Sequence, residues 1–178
     1  MQQIHDLIII GGGITGLTAA VCAGAAELDV LVIDRNPKPG GSLLKEQQIN
    51  SYPALPKISG EELVSMILDH CELFGVQFEQ AEIDRIDEDG AIKSVWAGKK
   101  EYTATAVLIA SGKSNREFLT KLPVKSTYNG LIDAGYNCRT SGSMIYAAGN
   151  ARCGALPGVL NAAADGENSI KSFLEDIK

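Results

Sequence analysis

Asp6-Leu7-Ile8-Ile9-Ile10 runs straight into Gly11-Gly12-Gly13-Ile14-Thr15-Gly16, and the next apolar run, Val30-Leu31-Val32-Ile33, closes on Asp34. Read outward from the glycines, this stretch decides the fold. A buried strand feeds a Gly-x-Gly-x-x-Gly turn, the turn opens a helix, and a carboxylate arrives 18 residues after the third glycine. That is the order of parts in a dinucleotide-binding β-α-β unit. Gly11 permits the tight turn, Gly13 lets backbone N–H groups approach a pyrophosphate, and Gly16 lets helix and strand pack closely. Ile14 and Thr15 stand at the helix N-terminus, whose unpaired donors and positive dipole end favour phosphate. Asp34 is placed to accept hydrogen bonds from adenosine ribose hydroxyls. Glycine-rich turns also serve as loop punctuation, and a strand-end acid needs no ligand. Strand, helix and acid in register favour nucleotide binding over both.

Size and charge narrow the setting. The 178 residues are expected to form a single domain over 1–178 with a substantial core, and 45% apolar content argues for a folded globule. A net charge of -6 offers no basic surface to nucleic acid or anionic lipid. Lys99-Lys100 and Lys121/Lys125 read as solvated surface. No apolar run is long enough to span a bilayer, and Met1-Gln2-Gln3-Ile4-His5-Asp6 lacks a basic leader, so a cytoplasmic protein is expected. Cys22, Cys71, Cys138 and Cys153 are dispersed, which gives neither a zinc site nor a local dithiol, and no metal site is expected. Asp87-Glu88-Asp89 before Gly90 reads as turn chemistry rather than a calcium loop.

Along the chain, a first helix is expected over 14–26 and a second strand over 30–34. Pro37, Pro39 and Gly40-Gly41 then punctuate a loop, and residues 42–57 look irregular. Ser59-Gly60-Glu61-Glu62 is a capping box for a helix with Leu63, Met66, Ile67, His70 and Phe74 on its inner face, ended by Gly75. His70 reads as a core-edge histidine, and His5 as a residue able to reach solvent. A strand over 76–78 precedes a three-stranded antiparallel meander, with Ile83/Ile86, Ile92/Val95 and Tyr102 separated by Asp89-Gly90 and Gly98-Lys99, and Trp96 packed on it. Apolar strands are expected at 106–110 and 144–148. A last helix, about 158–177, is expected to bury Val159, Ala163, Ile170, Phe173, Leu174 and Ile177.

A meander between the third strand and Ala110-Ser111-Gly112 replaces the second β-α-β half of a simple NAD domain. This order resembles the FAD domain of the two-dinucleotide-binding flavoproteins, and most closely the low-molecular-weight thioredoxin reductases of the pyridine nucleotide-disulfide oxidoreductase superfamily. The resemblance rests on Gly11 to Gly16, Asp34-Arg35, Gly40-Gly41-Ser42-Leu43, Tyr52-Pro53, Ile58 to Leu63, Phe74-Gly75, Ala110-Ser111-Gly112, Arg139-Thr140-Ser141, Ala147 to Asn150 and Ala162 to Gly166. It implies an α/β, Rossmann-like FAD-binding domain: a five-stranded parallel sheet, helices on its faces, and a three-stranded antiparallel β-meander as crossover. By resemblance, Gly41, Ser42 and Leu43 would wrap the flavin, serine standing where the family has glutamine. Ser51 would lie at the ring edge in place of asparagine, and the backbone at Glu82-Ile83 would meet adenine. Gly149-Asn150 replaces a Gly-Asp pair whose acid binds the ribityl chain, and Gly158-Val159 would meet the ring's pyrimidine carbonyl.

The largest departure is internal. Where the family carries an NADPH domain with a Cys-x-x-Cys pair, this chain has only Lys113 to Cys138, 26 residues, and one β-α-β unit alone takes about 30. The expectation is therefore a short connection over 112–139 and a flavoprotein oxidoreductase, or the flavin subunit of one, whose electron donor and acceptor are separate proteins or small molecules. A homodimer is also expected, since FAD domains supply much of the family's subunit contact. Two other readings stay open: a non-catalytic FAD module or redox sensor, and an NAD- or ADP-binding protein that kept only the first half of the site. Cys153, three residues past Asn150, could exchange electrons with a flavin, although packing is the more economical role for a lone thiol.

Overall fold

In the computed structural model, which describes residues 3–88, 90–113 and 116–178, the chain runs β1 (Ile4–Ile10), α1 (Ile14–Ala25), β2 (Val30–Asp34), α2 (Gly60–Leu73), β3 (Gln77–Gln80), β4 (Arg85–Asp87), β5 (Lys93–Ala97), β6 (Lys100–Ile109), α3 (Arg116–Thr120), β7 (Ile145–Ala147) and α4 (Val159–Asp176). The expectations for Met1, Gln2 and Asp89 lie outside the described residues. Strand order is β3-β2-β1-β6-β5-β4, with β7 also on β6. Five of these strands, β3, β2, β1, β6 and β7, are mutually parallel. Antiparallel pairing links β4 to β5 and β5 to β6.

β6 belongs to both systems. Its first half pairs β5 from Lys100 to Ala104, and its last residues pair β7 from Val107 to Ile109. The expected third meander strand and the expected parallel strand at 106–110 are thus one strand of ten residues. Thr103, Ala104 and Thr105 contain no turn former that would break it. Elsewhere in the meander Ile83, Ile86, Val95 and Tyr102 are buried as expected, but Ile92 precedes β5 and does not share its inner face. Lys93 and Val95 point inward while Ile92 is 36% exposed, and the Lys93 ammonium donates to the Gly90 carbonyl at 2.8 Å. Trp96 does pack on the meander, its Nε1 donating to Asp87 at 2.9 Å beneath the Arg85 guanidinium.

Alternation along the strands splits the apolar residues between two cores. Leu7, Ile9, Val30, Val32 and Leu108 face one; Ile8, Ile10, Leu31, Ile33 and Ile109 face the other. Each such side chain, fully buried, contributes about 1.5–3 kcal/mol. The expected helices on the sheet's faces divide unevenly: α1, α2 and α4 pack on the first core and short α3 on the second. The second is covered by the meander and by Phe118, Leu119, Leu122, Leu131 and Ile132 of the connection, which contains short α3. The connection is therefore a wall of the core and not a spare loop.

Two helix faces differ from their predicted stripes. The capping box of α2 forms as expected, with Glu62 N–H donating to Ser59 Oγ at 3.2 Å and Ser59 N–H to the Glu62 carboxylate at 2.9 Å. Its buried stripe is Leu63, Val64 and Cys71, however, while Met66 is half exposed and His70 lies outside, stacked on Phe74. In α4 the buried residues are Asp165, Gly166, Ser169, Ile170, Ser172 and Phe173, and Ile177 is exposed. Hydrophobicity misjudges that face because it crosses α1 closely: a Cβ at Gly166 would overlap the Thr15 carbonyl. The serines are satisfied in place, Ser169 donating to Gly166 O and Ser172 to Asn137 O, both at 2.6 Å. His5, expected to reach solvent, is buried with Nδ1 3.2 Å from Asp29.

Candidate functional site

The close α1–α4 crossing brings two helix N-termini to the carboxyl ends of β1, β2 and β6, where a doubly wound sheet places its ligand. There the structure has a cleft of about 570 Å³. Its walls include Gly11, Gly13, Ile14 and Thr15 from the first turn; Asp34 and Arg35 after β2; and Gly41, Ser42 and Leu43 from the following turn. Glu82, Ile83, Ala110, Ser111, Gly112, Asn150, Gly158 and Val159 complete the group of expected residues that the fold brings together. Gly16, Ser51 and Gly149 do not line it. Gly16 is a packing glycine, whose Cβ would overlap the Gly11 carbonyl, and a Cβ at Gly149 would overlap Thr15. Ser51 is exposed on the loop between Ile49 and Ile58, which bridge each other as an antiparallel pair.

Glycines of the turn separate into two kinds. Gly11, at φ 108°, would place a Cβ 2.6 Å from the Ala110 carbonyl, so the fold itself excludes a side chain. Gly13 has φ -76° and an added Cβ would meet nothing within 4 Å. Neither backbone conformation nor packing requires glycine there. What a side chain at Gly13 would occupy is the cleft.

Both helix ends at the cleft lack caps. α1 starts at Gly13 and α4 at Gly158, with no side-chain cap and no acidic residue in either first turn. Their first N–H groups and positive dipole ends are free to meet an anion or carbonyl. Asp34 is also a structural acceptor: Oδ2 accepts from Gly12 N–H at 2.6 Å, and Oδ1 accepts from the Asn36 N–H and side-chain amide at 2.8 and 2.9 Å. A carboxylate has about four lone-pair sites, so Oδ2 retains one for a ligand. Arg35 and Glu82 form an exposed pair at 3.8 Å on the rim. The Ser111 Oγ is buried in the wall without a hydrogen-bond partner among the described residues. An orphaned hydroxyl, a cradle that a Cβ would fill and two uncapped helix ends fit a nucleotide cofactor.

The wall also holds residues that sequence reasoning missed. Asn36, Glu46, Ala81 and Ala162 adjoin predicted residues and were within reach of local reading. Lys113 and Phe118 come from the connection, and only the folding of that segment onto the second core shows that they reach the cleft. Cys153 is partly buried against the second core and does not line the cleft. All four cysteines are free, so Cys138 and Cys153 are not bridged. Burial pushes the Cys138 thiol up to about 12 and that of Cys71 to about 11, which keeps both protonated and unreactive at neutral pH.

A Rossmann-like sheet with an uncapped glycine-rich turn and a strand-end acid defines a dinucleotide-binding class of protein. Within that class, the family model for pyridine nucleotide-disulphide oxidoreductases matches residues 5–118, and the chain belongs to this family. It is similar to the thioredoxin reductase of Bacillus subtilis (strain 168), 39% identical over 111 residues, which are 62% of this chain and 35% of that protein. The chain spans only about a third of such relatives, 35% of this one. The fold is similar to T. acidophilum thioredoxin reductase, at TM-score 0.90 and 15% identity over 99% of this chain and 100% of the other. A Clostridium acetobutylicum ferredoxin-flavin thioredoxin reductase superposes at TM-score 0.86 and 15% identity, over 99% and 98%. Among the described residues no helix is long and apolar enough to cross a membrane, and no cluster of side chains suits a metal ion.

Proposed function

We propose that the cleft binds FAD, and that the chain is the flavin-carrying part of a thioredoxin reductase-like oxidoreductase whose electrons come from a separate donor. Gly13 carries this reading. It is the position where glycine is needed only if something other than protein fills the space beside it. Bound FAD would supply transfer of a hydride or of single electrons at its ring. The residues of the chain supply the rest. N–H groups of Ile14 and Thr15 hold the pyrophosphate, with Gly11 shaping the turn beneath, and the open lone pair of Asp34 receives a ribose hydroxyl. Backbone at Glu82 and Ile83 meets adenine, and the Ser111 hydroxyl donates into the cleft. Asn150 accepts from the ribityl chain through its amide oxygen, more weakly than the acid of relatives. Uncapped N–H groups at Gly158 and Val159 stabilise negative charge at the ring's pyrimidine side.

A separate donor follows from the fate of Lys113 to Cys138. Among the described residues of that segment, Phe118, Leu119, Leu122, Leu131 and Ile132 pack on the second core, and none forms a second glycine-rich strand-turn-helix to orient a nicotinamide. The Clostridium neighbour's name itself joins a flavin enzyme to ferredoxin, which makes a protein donor a natural class to test. Self-association as a homodimer belongs to the same proposal and is checked by light scattering at micromolar concentrations.

The decisive experiment titrates apoprotein with FAD and FMN, for the wild type and for Gly13→Val. FAD is expected to bind more tightly than FMN, because the adenosine half of the cleft adds contacts that FMN cannot make. Gly13→Val is expected to fold normally and lose FAD. Equal affinity for the two flavins, or undiminished FAD binding by folded Gly13→Val, would overturn the assignment.

A further inference from the structure

Two segments form the end of the cleft farthest in the chain from the glycine-rich turn: the single turn Gly149–Ala151 that carries Asn150, and the start of α4 at Gly158. One ion pair, its side chains 8% and 11% exposed, ties them together. Asp165, in the second turn of α4, accepts from Arg152 Nε at 2.8 Å and from Nη2 at 2.7 Å. The same carboxylate accepts from the Gly149 N–H at 2.9 Å. Arg152 closes the other side of the turn, its own N–H donating to Gly149 O at 3.1 Å and its Nη1 to Cys153 O at 3.1 Å. Asn150 therefore hangs between two residues that are both bonded to one buried carboxylate.

A buried pair of this kind is a poor source of net stability, since desolvating two charges costs about as much as their attraction returns. Its hydrogen bonds instead set where groups sit. We infer that Arg152 and Asp165 are positioning residues, which register Asn150 against the N-terminus of α4 and so build the ring end of the FAD site. This rests on the FAD reading above. The pair shares no hydrogen bond with the adenosine end, where the Gly12–Asp34 bond holds the turn. The two ends should then respond separately to its removal. ADP fills only the adenosine end, and FAD fills both.

The experiment measures affinities of apoprotein for FAD and for ADP by isothermal titration, in the wild type, in Asp165→Asn and in the double variant Arg152→Met/Asp165→Leu. The double variant guards against misfolding, because replacing both buried charges with apolar groups is often tolerated where removing one is not. In each folded variant FAD affinity is expected to fall about 10-fold or more, the usual cost of losing a support behind a binding group. ADP affinity should stay within about twofold of the wild type. The visible band of the bound flavin should also shift, reporting a changed ring environment. Equal losses for FAD and ADP, or unchanged FAD affinity in the folded double variant, would overturn the positioning role. A wild type that binds ADP but not FAD would instead overturn the FAD reading on which it stands.

Discussion

The two ends of the cleft are built in different ways. The adenosine end comes chiefly from one unbroken stretch, from β1 through α1 and β2 to Asn36, and depends mainly on backbone: a turn held by Gly12–Asp34, an uncapped helix, and glycines that a Cβ would obstruct. The end assigned to the ring is collected from Ser42-Leu43, Asn150 and Gly158-Val159, which are far apart in the chain and meet where α4 crosses α1. One end is a local motif and the other a tertiary assembly. Under the FAD proposal, changes that spare the motif can therefore alter the ring end, and chemistry at the ring would depend on segments far apart in the chain.

The largest effect that would break this contrast concerns reduction. Oriented, near-contact reactants gain an effective concentration of about 10⁵ M or more, and under the same proposal no described residues at the ring end hold a nicotinamide in that way. With FAD bound, anaerobic stopped-flow absorbance should show quick bleaching by dithionite and only slow, unsaturated bleaching by NADPH or NADH alone. A suitable donor protein should restore speed. Rapid, saturable bleaching by NADPH without another protein would mean that the connection orients a nicotinamide after all.

Within the adenosine end, Gly13 and Gly16 should part company. Gly16→Val forces a side chain into the Gly11 carbonyl and is expected to cost about 3 kcal/mol or more of stability, at the upper end of overpacking. Gly13→Val should leave the unfolding midpoint close to the wild type while removing FAD. Urea denaturation of the two apoproteins checks this, and equal destabilisation would erase the distinction between a packing glycine and a ligand glycine.

Legibility follows the same division. The β1-turn-α1-β2 unit was readable because each of its constraints acts between near neighbours, and β2 and the α2 cap fall where their residues predict. β6 was split in two because nothing in Thr103–Thr105 says that one strand serves two sheet systems. The inner face of α4 was misjudged because Ser169 is buried by a bond back to Gly166 O one turn earlier, and Asp165 and Ser172 by bonds to partners outside the helix. Phe118 and the Arg152–Asp165 pair were missed for that reason: neither has a local pattern, and only packing shows what they touch.

The smallest effect expected is a pH dependence that should divide the two helices at the cleft. α1 is anchored by small residues and carries no acid or base other than Cys22. α4 is anchored at its far end by a titratable clasp, in which Arg139 donates from Nε and Nη2 to Asp176 at 2.9 Å each and the Tyr146 hydroxyl donates to Asp176 at 2.7 Å. Arg139 first, and then Tyr146, hold the Asp176 carboxyl below its ordinary range. Its share of stability is therefore present above the unfolded carboxyl value of about 3.9 and is lost as pH falls through the lower folded value. Burial, and then the bond to Asp176, push the Tyr146 hydroxyl up. Its share is present below the unfolded value of about 10 and is lost as pH rises toward the folded one. The clasp should loosen at both extremes, so amide exchange near Asp176 should quicken in acid and in alkali while α1 stays protected. Tyr146→Phe should remove about 1 kcal/mol, flatten the alkaline limb and weaken but not abolish the acid limb, since Arg139 still holds Asp176. If the difference between wild type and Tyr146→Phe in urea unfolding is the same at pH 8 and pH 11, the hydroxyl does not titrate against the fold, and the anchoring of α4 is as indifferent to pH as that of α1.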